Sequence, residues 1–396
     1  MPRSARLMPT ATCVLLALAA IACTPAAAPA AKPAASAPAQ PAATQPLPAA
    51  QAAAAPPAPA ATAAAAPSRP TLATTPAVDL KVGVIPQASY APFFIAQNRG
   101  YFSELGLNVE FFPTSNILEQ LPAIATGQLH AGSCSTGIAC FNALNRRADI
   151  KIVADLQSAG KTEKSTGNLA LVVRKDVWDA GTYRGPRDLA GREVYTQAGV
   201  GSGPHLVAAR WLQRNDVDPR SVEWPPMVYP DVYAAMQNRG VEIGFSTEPL
   251  VTAGITRGVH AVLATQEEMY PTTSRLFAVL GTSVDRLGPQ VGERFMVAYL
   301  RAARDYINAF EYVVDEDAIV DVLTKETPVK DAAFYRDIKY SWVDPNGVVS
   351  RATLEADAEF FRELDLLKEP VDLSQAFDEK YRQFAVQYLG EYRPPR

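Results

Sequence analysis

The chain has 396 residues, a formal net charge of −4, four cysteines and three histidines. That length points to two or three domains, and the mild charge leaves no basic footprint for nucleic acid. The cysteines and histidines are too scattered for a zinc site, and beyond the leader no run of about eighteen apolar residues argues for a membrane-spanning helix.

Residues 1–22 read as a lipoprotein signal peptide, with Arg3 and Arg6 at the positive end and a short apolar core over 14–21. Residues 20–23 are Ala-Ile-Ala-Cys, a lipobox-like sequence in which Cys23 becomes the lipidated first residue. A plain signal peptide cut nearby is the other reading. Residues 23–77 are almost entirely Ala, Pro, Thr, Ser and Gln after Cys23. Such a segment buries too little apolar surface to offset its ordering entropy, so it is expected to be a disordered tether. A coil of that length reaches about 40 Å on average.

Residues 81–85 are apolar and β-branched, as in a buried parallel strand, and Pro86 stops them. Residues 87–90 form a polar turn. Pro92 suits the first turn of a helix that Gly100 ends. Residues 107–112 alternate like a second strand. The unit is β-α-β, and ligands bind past the carboxyl ends of parallel strands. That places Gln87, Ser89 and Tyr90 at a mouth, with Asn116 beside them as the cap of a helix over 117–127.

Residues 129–133 form the next strand, followed by a turn holding Ser135 and Thr136 and by a helix through Leu144. The free N–H groups of that helix favour an acceptor or anion. Residues 150–156 are another strand. Cys13 leaves with the leader, and Cys134 and Cys140 remain as either a disulfide or two buried thiols.

Residues 168–174 are a β-rich run that leaves the first lobe. Residues 193–197, with Tyr195 and Gln197, read as a strand. The glycine loop over 199–204, holding Ser202, either cradles a polar headgroup or is a tight turn. Its spacing is not a dinucleotide fingerprint. A helix follows over 205–214, and several tyrosines, among them Tyr229, lie near predicted loops. Asp231 is expected to cap a helix over 232–238, where it could also touch ligand. A strand over 241–245 leads to Glu248, which either accepts hydrogen bonds from ligand or makes a surface ion pair. The order of capped helix, glycine, short strand and Ser-Thr turn occurs twice, which suggests two similar lobes facing each other. Residues 275–283 are the return crossover, and two crossing strands make a hinge. From Gly292 on, Phe295, Tyr299, Ala302, Tyr306 and Phe310 keep helical spacing. The expected domains are lobe 1 over 78–172 and 276–396, and lobe 2 over 173–275.

The stretch A-P-F-F-I-A-Q-N-R-G-Y-F-S-E-L-G-L-N-V-E over 91–110, with T-G-Q-L-H-A-G over 126–132, resembles the solute-binding proteins of bacterial ABC importers. The branch it resembles binds sulfonates, nitrate, taurine, thiamine pyrimidine precursors and riboflavin. The turn over 187–192 is similar to the D-L-x-G-K turn of that family. The resemblance runs from about residue 78 to the end. It implies an α/β, two-lobed type II periplasmic-binding-protein fold, each lobe a mostly parallel sheet flanked by helices, with two hinge crossovers. It also implies a monomeric, lipid-anchored receptor outside the cytoplasm, with an ABC permease as partner, no cofactor, no metal and no catalysis. An enzyme reading, similar to the eukaryotic thiamine-pyrimidine synthase, lacks that enzyme's cysteine run at 133–137.

Tyr90, Tyr195, Trp224, Tyr229, Tyr233 and Trp342 fall near predicted loops, and basic residues are sparse at the strand ends. These features favour a flat heteroaromatic vitamin, riboflavin or a thiamine pyrimidine, with sulfonate, taurine or nitrate as the alternative. The expected ligand-binding set is Gln87, Ser89, Tyr90, Asn116, Ser135, Thr136, Tyr195, Gln197, Ser202, Tyr229, Asp231 and Glu248.

Overall fold

The computed structural model describes residues 69–146, 149–165, 167–271 and 276–396, all within one compact unit. The leader, Cys23 and the tether up to residue 68 lie outside the described residues. The end of the expected tether is held: Gln290 Nε2 donates to the Thr71 carbonyl at 3.2 Å, and Ala73 N donates to Gln290 Oε1 at 2.7 Å.

β1 (Val78–Val84) leads through α1 (Ala91–Asn98) and α2 (Tyr101–Glu104) to β2 (Leu107–Pro113). Gly100 joins the two short helices at φ +74°, a left-handed conformation that glycine adopts without strain. α3 (Ile117–Ala125) follows, its first turn capped by Asn116, whose Oδ1 accepts from Leu118 N at 2.9 Å. Next come β3 (Ala131–Ser135), α4 (Ile138–Asn145) and β4 (Ile150–Gln157).

The chain then crosses to a second sheet. β5 (Leu169–Arg174), α5 (Lys175–Asp179), α6 (Gly203–Arg214), α7 (Tyr229–Gln237), β6 (Ile243–Thr247), α8 (Leu250–Thr256), β7 (His260–Thr265) and α9 (Gln266–Met269) make up this half. The chain returns as β8 (Leu276–Gly281) and closes with α10 (Val291–Tyr312), α11 (Glu316–Glu326), α12 (Ala332–Asp337), α13 (Arg351–Glu363) and α14 (Lys380–Leu389).

The first sheet has the order β2-β1-β3-β8-β4 and the second β6-β5-β7. β1 pairs in parallel with β2 and β3, whereas β8 is antiparallel to both β3 and β4. β5 is likewise antiparallel to β6 and β7. β5 and β8 are the strands by which the chain enters each half from the other. Each starts at the edge where its neighbours end, so it runs against them. Both are apolar along nearly their whole length, as strands covered on two faces must be.

The strand expected over 193–197 is reduced to single parallel bridges, Glu193 to Glu223, Tyr195 to Gly244 and Thr196 to Pro226. Pro225 and Pro226 lie opposite and have no N–H to continue a ladder. Asp231 does not cap its helix. α7 begins two residues earlier, Val228 holds the cap position, and Asp231 sits exposed in the first turn, where the helix dipole favours a carboxylate.

Each sheet is covered by apolar side chains on both faces. The expected stripe of α10 is buried: Phe295, Tyr299, Ala302, Tyr306 and Phe310 pack with α1 on the first sheet. α6 of the second half carries Leu206 and Ala209 into the apolar cluster around Phe361 of α13.

Candidate functional site

A cavity of about 200 Å³ lies between the two sheets, past the carboxyl ends of β1, β3 and β4. Nine of the twelve expected residues line it: Gln87, Ser89, Tyr90, Asn116, Ser135, Thr136, Gln197, Ser202 and Tyr229. Asp231 and Glu248 line a neighbouring cavity of about 300 Å³, which shares Gln87, Gln197, Tyr229 and Thr247 with the first. Tyr195 lines neither. It packs under the second sheet and donates its hydroxyl to Glu193 Oε2 at 3.0 Å.

The two halves meet directly at the rim. Ile138 N donates to the Gly201 carbonyl at 2.9 Å, and Gln197 Nε2 donates to the Ser115 carbonyl at 3.0 Å. Gly137 and Gly201 permit this approach. A Cβ on Gly137 would lie 3.0 Å from Gly201 O, and one on Gly201 would lie 2.2 Å from Ile138 Cδ1. Ser202 caps α6, accepting from His205 N at 3.3 Å and donating to Gly199 O at 2.7 Å. The glycine loop is therefore a tight turn that also forms the wall of the cavity.

Among the described residues the walls are rich in donors and hold no charged side chain. α4 and α6 both start at the cavity, so the first-turn amides at Ala139, Cys140 and Gly203 precede any intrahelical acceptor. Thr136 Oγ1 and Gln266 Nε2 are buried without a partner among the described residues, and both residues are 0% exposed. Gln157 Nε2 donates to Asn168 Oδ1 at 2.6 Å and to Gln266 Oε1 at 3.3 Å, which forms an amide cluster at the hinge side.

Tyr90 is buried, and its hydroxyl bonds to Ser133 Oγ, which in turn donates to Gln120 Oε1 at 3.0 Å. Burial pushes the pKa of the Tyr90 phenol well above its ordinary value, so it stays protonated. Glu248 makes no surface ion pair. It is 4% exposed, and Thr252 N and Thr252 Oγ1 donate to its two oxygens at 3.0 Å each. Burial outweighs these bonds and pushes its pKa up to about 7.

The expected aromatic cluster is not assembled. Trp224 stands edge-on to His205 at 4.9 Å, inside the core of the second half, and Tyr233 stands edge-on to His260 at 6.1 Å. Trp342 lies under the Lys161 ammonium at 5.2 Å. Of the six rings only Tyr90 and Tyr229 line the cavity. Ring position depends on which way each loop turns, and composition does not carry that.

Cys134 and Cys140 are joined, with Cα atoms 5.9 Å apart. The bridge ties the end of β3 to the first turn of α4 and brackets the segment that presents Ser135 and Thr136. Gln157, Asn168, Thr247 and Gln266 are lining residues outside the expected set. The same signal that singled out Gln87 and Ser135, a polar residue at a strand end, was present at three of them. Gln157 and Thr247 end β4 and β6, and Asn168 immediately precedes β5.

Among the described residues no group of three or more His, Cys, Asp or Glu is placed to hold a metal, and no helix is long and apolar enough to cross a membrane. No curated protein sequence matches the chain. Solved structures similar to it include the alkanesulfonate-binding protein SsuA from Xanthomonas axonopodis pv. citri. That match has 16% identity and a TM-score of 0.61 over 79% of this chain and 99% of that one. The periplasmic aliphatic sulphonate binding protein SsuA from Escherichia coli matches at 18% identity and a TM-score of 0.58, over 76% and 92% of the two chains. The periplasmic nitrate-binding protein NrtA from Synechocystis PCC 6803 matches at 14% identity and a TM-score of 0.62, over 79% and 89%. At these identities the likeness carries the fold alone, that of a periplasmic binding protein. The model of the NMT1-like family matches residues 73–310, more than half of the length, and the chain belongs to that family.

Proposed function

We propose that the chain is the extracytoplasmic solute receptor of an ABC importer. In this reading Cys23 carries the lipid anchor and 23–77 is the tether. The two lobes, with the expected boundary at 172 moved to before β5 because that strand belongs whole to the second sheet, close on a small solute that a permease then receives. No covalent step takes place. The observation that carries the reading is a cavity between two sheets whose unpaired polar groups are mainly donors, with Thr136 Oγ1 buried and unpartnered in its wall. Such a site suits a solute rich in acceptor atoms.

Two solute classes meet that demand. A sulfonate, nitrate or taurine is supported by the amino ends of α4 and α6, which favour an anion. The ligands named for the similar solved structures point the same way. A planar heteroaromatic vitamin, riboflavin or a thiamine pyrimidine, is supported by a largely apolar lining that includes Tyr229. With the ring cluster dispersed, the oxyanion fits at least as well.

Calorimetry of the purified chain with ethanesulfonate, taurine, nitrate, riboflavin and a thiamine pyrimidine tests the proposal. Binding of one class near micromolar, about −8 kcal/mol, is the expected result. Binding of none, or turnover of any of them, contradicts it.

A further inference from the structure

Gln266 is wholly buried and lines the cavity, yet its Nε2 has no partner among the described residues. A neighbour sets the polarity of this amide. Gln157 directs one N–H to Asn168 Oδ1 and the other to Gln266 Oε1. Both carbonyl oxygens are thereby occupied, and the nitrogen of Gln266 is the group left to face the cavity. Gly167, at φ +86°, backs the arrangement, and a Cβ there would lie 3.0 Å from Gln266 Cδ and Oε1.

These amides stand at the two crossovers. Gln157 ends β4, Asn168 precedes β5, and Gln266 opens α9 before the chain returns towards β8. The bond from Gln157 to Gln266 therefore joins one half to the other across the hinge, and the bond to Asn168 ties it to the crossover itself. An unpaired buried donor weakens a fold, so its presence in a cavity wall signals a partner supplied from outside.

We propose that Gln266 is a specificity-determining residue whose Nε2–H binds an acceptor oxygen of the solute on the hinge side. Gln157 is the positioning residue that fixes its polarity. The inference rests on the receptor reading above and adds to it. The solute carries a second acceptor, beyond the one met by Thr136, and a group that only donates, such as an ammonium, does not sit against this wall. A solute docked on Gln266 also strengthens, by polarisation, the amide bond that crosses the hinge.

The test compares the wild-type chain with Q266E, Q157E and Q266M, using ethanesulfonate and riboflavin as calorimetric probes at neutral pH. Q266E replaces the donor by a carboxylate and weakens whichever probe the wild type binds by about tenfold or more. Glu at position 157 has only acceptors, so both neighbouring amides turn their nitrogens towards it and present Gln266 Oε1 to the cavity. Q157E therefore loses binding as Q266E does while keeping its fold. In Q266M, Gln157 is only partly buried and keeps its bond to Asn168, so the melting temperature of the solute-free chain stays at or above the wild-type value.

An affinity in Q266E within about twofold of wild type overturns the inference and leaves the receptor reading standing. If neither probe binds the wild-type chain, those ligand classes fail, and the melting temperature decides the inference alone. A fall in Q266M of more than about 4 °C makes the amide a structural element and overturns the proposal, whereas a value at or above wild type upholds it.

Discussion

The main-chain N–H of Ile138 donates to the carbonyl oxygen of Gly201 at 2.9 Å, and this bond ties the helix end of one half to the glycine loop of the other. Gly201 has φ +80°, and a Cβ there would meet Ile138 Cδ1 at 2.2 Å. Gly201→Ala is therefore strained twice, by the left-handed backbone and by the clash across the rim. We expect it to hold the halves apart and to weaken solute binding by about tenfold. Small-angle scattering should show a larger radius of gyration than wild type in the presence of solute.

Glu248 sets a pH dependence of stability. Its folded pKa lies at about 7 against an ordinary 4.5, so the folded chain binds the extra proton between those values. This carboxyl's own contribution to stability is full at low pH and is lost as pH rises through that window. Glu248→Gln removes that contribution, steepens the acid limb that the buried histidines set, and makes the chain more stable than wild type at alkaline pH, by about 3 kcal/mol at most. Chemical denaturation at a series of pH values checks this.

The acid side belongs to histidine. Burial holds His205 down to about 4 from 6.5, and its Nδ1 accepts from Gly201 N at 3.2 Å. His260 is held down to about 4 in the same way. Unfolded, both rings take up protons near 6.5, so stability is lost as pH falls from there towards 4. His205→Asn should flatten this limb by about half, with its full height at most about 3 kcal/mol per ring. The same denaturation series reads the change.

The Cys134–Cys140 bridge brackets the segment that carries Ser135 and Thr136. Replacing both cysteines by alanine frees that short loop and should cost about 2 kcal/mol of stability. It should also lower solute affinity, because the loop must then be ordered on binding. Denaturation and calorimetry on the double variant measure the two effects separately.

Much of this architecture can be read from residue order. The strand near 81–85, the capping Asn116, the polar Ser135-Thr136 segment, which the structure places at the end of β3 and just past it, and the α10 stripe from Phe295 to Phe310 follow from local periodicity and caps. These features act within a few residues, so sequence carries them. What sequence does not carry is set by distant packing. Nothing local tells that Trp224 turns inward to His205, that Tyr195 faces away from the cavity, or that Glu248 is buried under Thr252. The segment at 71–76 reads as tether, yet Gln290 and Arg294, more than two hundred residues away, fasten it through main-chain groups of Thr71, Ala73 and Pro76. Gln266 was invisible for the same reason: its role depends on Gln157 and Asn168 arriving beside it from the other crossover.

The most direct measurement is titration of ethanesulfonate and riboflavin into the wild-type chain and into Thr136→Val, which keeps the side-chain shape and removes the buried hydroxyl. The account predicts that one probe binds the wild type, and that the variant binds it about tenfold more weakly at an unchanged or higher melting temperature. Equal affinity in the two chains, or conversion of the probe into another molecule, would contradict a receptor that holds its solute by uncharged donors between two halves.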